Sequence, residues 1–130
     1  MTINENPRIS DVVVYEAAQD IEYCRDNVTV ESGTVASAVG QVLGKVTATG
    51  KFTQLNPAAS DGSQTAAAVL LVAFTATLTA DTPYVAVTRG PVVLKSTGLQ
   101  WTSGMTGTQI TTATAQLVAA GMKVEPAFGA

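Results

Sequence analysis

Ala66-Ala67-Ala68-Val69-Leu70-Leu71-Val72-Ala73-Phe74-Thr75-Ala76-Thr77-Leu78-Thr79 is the most apolar stretch of the chain. It begins as an unbroken apolar block. Phe74, Ala76 and Leu78 then alternate with Thr75, Thr77 and Thr79. A repeat of two puts successive side chains on opposite faces of a pleated strand, so the pattern predicts a strand that runs to Thr79. The threonines also leave the run short of the ~20 apolar residues a bilayer span requires. Turns bound it on both sides. Ala58-Ala59-Ser60-Asp61-Gly62-Ser63 carries an Asp-Gly pair, which supplies the positive φ of a tight turn, and Asp81-Thr82-Pro83 reverses the chain downstream. A buried strand between two sharp turns points to a mainly β fold.

The flanking segments extend the same reading. Upstream, Val39, Val42, Leu43 and Val46 are punctuated by Gly40, Gly44 and Gly50, which predicts a bent strand with close backbone packing. Lys51-Phe52-Thr53-Gln54-Leu55 alternates and stops at Asn56-Pro57. Downstream, Tyr84, Val85 and Val87 form a strand, Arg89-Gly90-Pro91 interrupts it, and Val92-Val93-Leu94 follows. Thr97 to Gly107 reads as a loop and holds the single Trp101. One helix is expected, from about Thr111 to Ala120, because Ile110, Ala113, Leu117 and Ala120 share one face of a 3.6-residue period. Gly121 stands where a C-terminal cap belongs, and Met122-Lys123-Val124 is a short last strand before Pro126.

Composition agrees. The 130 residues suffice for one domain, and Ala, Thr, Val and Gly supply 67 of them. Val and Thr favour strands because a branched Cβ packs well on a pleated surface. Charged residues make up 13%, about half the usual ~25%, so part of the surface is expected to be covered by other protein. The net charge of −3 disfavours a nucleic-acid partner, which needs a basic stripe to displace counterions. Seven aromatics are too few for a base-stacking platform. The absence of histidine and the single cysteine exclude a disulfide framework, Cys/His zinc sites and His-dependent triads. Met1 to Ser10 contains Glu5, Pro7 and Arg8 and lacks the apolar stretch of a signal peptide, so Asn27-Val28-Thr29 is read as a chance glycosylation pattern.

Charge divides the chain. Residues 1–31 hold seven acids and two bases, net −5, whereas residues 32–130 hold three acids and five bases, net +2. Residues 1–31 are read as an N-terminal arm with leading strands, and 32–130 as the packed β domain. Within the arm, Val12-Val13-Val14-Tyr15 is a short β-prone run that admits two readings. It is an edge strand of its own domain, or a strand donated to a neighbouring sheet edge. Val28 and Val30 alternate with Thr29 and Glu31, which suggests a second, half-buried strand.

No constellation for chemistry emerges. Gly40-Gln41-Val42-Leu43-Gly44-Lys45-Val46 falls short of a phosphate loop, which needs four residues between its glycines and a Ser or Thr after the lysine. Asp20, Glu22 and Asp26 lie in the most polar part of the chain and read as solvated charges, not as an acid–base pair with one desolvated member. The threonines and serines lack a histidine base, and nothing marks Lys45, Lys51, Lys95 or Lys123 as desolvated. Cys24, beside Arg25, reads as a small apolar filler. No catalytic residue, metal or cofactor is expected.

In order and spacing, several of these segments resemble the lambda-type bacteriophage head decoration proteins. They are Ser10-Asp11-Val12-Val13-Val14-Tyr15-Glu16, Tyr23-Cys24-Arg25-Asp26-Asn27-Val28-Thr29-Val30, Gly40-Gln41-Val42-Leu43-Gly44-Lys45-Val46, Ser60-Asp61-Gly62-Ser63-Gln64-Thr65-Ala66, Thr88-Arg89-Gly90 and Leu117-Val118-Ala119-Ala120-Gly121-Met122. The resemblance runs from about Ser10 to Val124. It implies a small β-clip domain with a helix near the C-terminus. It also implies homotrimers on the three-fold positions of an expanded phage head, where they clamp neighbouring major capsid proteins. The place of action would be the virion exterior, after synthesis in the host cytoplasm. The arm would add a strand to capsid-protein backbone, with Val12, Val13, Val14 and Tyr15 as the capsid-binding residues. The arm here is longer and more acidic than in the best-known member. Low charge, many small residues and the lack of catalytic groups fit a cementing role, with no nucleic acid, membrane or small-molecule substrate as partner. The alternative is a small bacterial β domain serving as a ligand-binding or carrier module, which would need a pocket of convergent polar groups or a modified lysine at a hairpin tip, and neither shows in the sequence.

Overall fold

A computed structural model of the chain describes residues 13–16, 25–89 and 92–125. The order of elements is β1 (Val13–Glu16), β2 (Arg25–Val30), β3 (Val42–Lys45), β4 (Phe52–Gln54), β5 (Ala66–Leu70), β6 (Thr82–Val87), β7 (Val92–Lys95), a 3-10 turn (Ser96–Gly98), α1 (Gly107–Ala119) and β8 (Met122–Glu125). The protein is mainly β with one short C-terminal helix, as the sequence predicts.

Five strands close a small barrel in the order β2-β4-β3-β5-β6, and β6 returns antiparallel onto β2 over Arg25↔Val87 to Val30↔Thr82. A second sheet, β1-β7-β8, pairs β1 antiparallel and β8 parallel to the central β7. The parallel β7–β8 connection carries α1, which packs on β8 and β5.

The apolar block at 66–71 now has a cause. Ala66, Val69 and Leu71 join a core shared with Val42, Val87, Val92, Leu94, Leu117 and Met122, between the barrel wall and the helix and second sheet. Ala68 and Leu70 join a separate core inside the barrel with Val28, Val30, Leu43, Phe52 and Ala86. A strand covered on both faces reads as a continuous apolar run, not as an alternation. Adjacent residues of β3 (Val42, Leu43) and β6 (Ala86, Val87) divide between the same two cores. The barrel wall is therefore shared between them, and the small residues Ala66, Ala68 and Ala86 let the layers approach.

The expected continuation of that strand to Thr79 does not form, since β5 ends at Leu70. Beyond Leu71 the cover is lost, and Val72, Ala73 and Thr75 to Thr77 face solvent. Phe74 is buried, stacked on Tyr84 at 4.9 Å between ring centroids, and Leu78 is half-buried. Phe74 exchanges both backbone hydrogen bonds with Ser37, whereas Leu78 donates to Thr34 and accepts from Gly33. That one-residue slip between the two contacts breaks the ladder. The segment is an irregular ribbon along 33–37, held by its two large apolar side chains.

The helix begins earlier than its apolar face suggests. Thr106 is the N-cap: its Oγ1 accepts from the Gln109 N–H (3.2 Å) and the Gln109 side chain accepts from the Thr106 N–H (2.9 Å), a reciprocal capping box. Ala113 and Leu117 are the buried face. Ala120 is the C-cap, and Gly121 follows with φ +94°.

Candidate functional site

Two tight features tie the barrel together at the end that carries Asp61. β3 passes so close to the Asp61-Gly62-Ser63 turn that a Cβ on Gly44 would lie 2.2 Å from the Ser63 carbonyl oxygen. Gly62, at φ +107°, meets the backbone of Lys45 and Thr47 from the other side. The turn is locked by Asp61, whose Oδ1 accepts from the Ser63 hydroxyl (2.6 Å) and the Ser63 N–H (3.0 Å). These bonds, the hydroxyl first, hold the Asp61 carboxyl below the usual carboxylate range. The glycine-rich run 40–46 is thus packed strand backbone, not a phosphate-cradling loop.

The charged side chains of the barrel form local clamps. The Thr88 hydroxyl donates to Asp26 Oδ2 at 2.8 Å and Arg89 pairs with the same oxygen. Thr88 first, then Arg89, keep the Asp26 carboxyl lowered against the opposing effect of desolvation. Lys51 pairs with Asp81, which also accepts from the Ser32 N–H at 2.9 Å. Each of those partners is shifted toward its charged form, Lys51 upward and Asp81 downward. These groups join neighbouring loops at the surface and converge on no common point. Among the described residues no three Asp, Glu, Cys or His side chains come together as a metal site. Asp20, Glu22 and Cys24 lie outside the described residues.

Among the described residues, an exposed sheet edge and exposed apolar surface stand out instead. Val13, Val14 and Tyr15 form β1, an edge strand whose backbone pairs Val13 with Leu94, Tyr15 with Val93 and Glu16 with Val92, with a register irregularity between Val13 and Tyr15. Val12 lies outside the described residues. β7 beneath it is anchored, since Val92 and Leu94 are buried beside Met122 and Leu117. β1 is therefore an edge strand of its own chain, held on a firm sheet, and its outer edge carries no further strand among the described residues. A sheet edge of this kind can accept an extended segment by backbone pairing alone.

A second surface escaped the sequence reading. Val35 and Val72 are 53% and 39% exposed, the first on the 33–37 side of the irregular ribbon and the second just before its 74–78 side. No charged residue occurs between Ser32 and Gly44 or between Gly62 and Ala80. The signal was present as two charge-free stretches, but their contact depends on the Ser37–Phe74 pairing, which no local pattern announces.

The family model described as bacteriophage lambda head decoration protein D matches residues 2–122, a span that takes in every strand of the barrel, β1, β7 and α1. Among curated proteins none matches the chain. A match over nearly the whole length shows that the chain belongs to the bacteriophage lambda head decoration protein D family.

Proposed function

We propose that this phage head decoration protein acts as a cement. It binds the outer surface of the expanded head as homotrimers at three-fold positions and clamps neighbouring major capsid proteins. The observation that carries the reading is the family match over residues 2–122. The mechanism is binding energy alone: a ligand with higher affinity for the assembled shell than for its separated parts stabilises the shell by mass action. Three arms on one trimer raise the effective affinity above that of one arm.

Within this reading the capsid contact is Val12, Val13, Val14 and Tyr15. β1 already lies on β7, so a capsid strand can extend the sheet at the outer edge of β1 without displacing it. Backbone hydrogen bonds give generic affinity and alternate side chains give specificity. The net charge of −5 over residues 1–31 favours a basic capsid surface and acts mainly on association rate. The subunits of the trimer meet through small apolar surface of the 33–124 domain, including Val35 and Val72.

Deletion of residues 1–17 tests the contact. The truncated protein loses the β1–β7 ladder but keeps the barrel and both cores, so it is expected to melt cooperatively at a modestly lower midpoint. It is also expected to leave expanded heads undecorated. Decoration with unchanged affinity would remove the arm as anchor, and loss of the cooperative melt would assign it to the domain's own core.

A further inference from the structure

The barrel wall has a gap. β2 and β4 run parallel and meet at a single position, Val30↔Phe52, because β2 ends where β4 begins. The Glu31 N–H donates to the Phe52 carbonyl at 2.7 Å, which identifies the residues of β2 that face β4. Alternate residues of an extended strand present their N–H and C=O to the same edge, so Asn27 and Thr29 face that side too. Opposite Asn27 the chain has turned away through the 46–51 hairpin, closed by Val46 N–H to Lys51 and Gly50 N–H to Val46. Asn27 is left with no strand beside it on that edge among the described residues.

The gap opens into a cleft of about 460 Å³ lined by Asn27, Thr29, Lys45, Phe52, Thr88 and Arg89, among others. Its lining is largely polar, and its floor includes the Phe52 ring. The Lys45 ammonium stands 5.8 Å from that ring's centroid. Lys45 is exposed and joins no ion pair among the described residues, and Asp26 in the same lining is engaged by Arg89 and Thr88. The cleft therefore combines an incomplete backbone edge with a positive charge available to an incoming carboxylate. This differs from the apolar surface of the 33–37 ribbon and from the acidic arm.

We propose that this β2–β4 notch is a second docking site, which receives an extended acidic peptide segment of the capsid shell. The segment lies along β2, pairs with the backbone of Asn27, completes the barrel wall and sets a carboxylate against Lys45. The proposal rests on the cement reading above and adds to it a contact made by the barrel itself, independent of the arm.

The test uses the full-length protein and expanded heads that lack decoration. A photoreactive benzoylphenylalanine placed at Thr29 is irradiated on the heads, and the adduct is read by mass spectrometry. The expected adduct is a capsid-protein peptide rich in Asp or Glu. In parallel, Lys45→Glu is expected to weaken head binding about tenfold through charge reversal, with a smaller effect for Lys45→Gln and unchanged thermal midpoints for both. An adduct to a second copy of this chain would reassign the notch to self-association and overturn the proposal. So would unaltered binding by Lys45→Glu, or no adduct on heads that the protein decorates. If the unsubstituted protein leaves the heads bare, the cement reading itself falls, and the notch proposal falls with it.

Discussion

Gly44 shows how much of the barrel depends on one missing Cβ. A side chain there would lie 2.2 Å from the Ser63 carbonyl oxygen and 2.7 Å from its Cα, both backbone atoms that cannot swing aside as a side chain would. Gly44→Ala is expected to cost about 3 kcal/mol, at the upper end for overpacking, read as a lower urea midpoint with unchanged slope. An unchanged midpoint would show that the turn at 61–63 yields. The carboxylates set the acid response. Asp26, Asp61 and Asp81 all have folded pKa values below the ordinary 3.8, so each holds its proton less tightly folded than unfolded. Their stabilisation is complete above that ordinary value and disappears as pH falls through the lowered folded values. Lys51 is raised above its ordinary 10.5, so its contribution is complete below that value and is lost as pH rises through the folded one. All of these groups are well exposed, which keeps the effect small. Asp26→Asn is expected to leave the urea midpoint nearly unchanged at pH 7 and to flatten its decline below about pH 4. A difference from the parent that grows between pH 7 and 5 would contradict this assignment.

At the scale of the element, the strands were readable where burial and period agreed. β2 alternates at its end because Val28 and Val30 reach the barrel core while Asn27 and Thr29 face outward, and the Asp61-Gly62 turn declared itself because few residue pairs accept its geometry. The reading failed where the period was real and the burial was not. Phe74, Ala76 and Leu78 alternate with threonine, but Ala76 is exposed, and the chain beyond Leu71 has no layer to cover it. The start of α1 was missed for a different reason. The apolar face points to Ile110 onward, whereas the helix is set by the polar pair Thr106 and Gln109, whose T-x-x-Q spacing was in plain view. Thr106→Ala is expected to cost about 1 kcal/mol by removing that cap, against about 3 kcal/mol for Leu117→Ala, which opens a cavity between α1 and β7–β8. Equal losses on thermal melting would show that the helix is held by its cap as much as by its packing. The β2–β4 gap was beyond reach of the sequence. It follows from β4 beginning only at Phe52, opposite the last residue of β2, and a pairing between segments so far apart in the chain leaves no local trace.

For the whole molecule, the deficit of charge is the feature that connects composition to role. The barrel fills its interior with small and branched residues, and the uncharged ribbon bearing Val35, with Val72 just before its 74–78 side, lies on the outside. In the trimer reading that surface is where subunits meet. Val35→Asp is therefore expected to shift the protein toward monomer in sedimentation at high concentration, with no change in its melt in dilute solution. A trimer population equal to the parent's would place the interface elsewhere. The account as a whole stands on decoration of the head. Its most direct test is a cryo-electron reconstruction of expanded, undecorated heads incubated with the purified protein. The account predicts three-lobed density on the outer surface at the three-fold positions, each lobe accommodating one barrel, with added density reaching from it to the shell. Bare three-fold positions at saturating protein would contradict it.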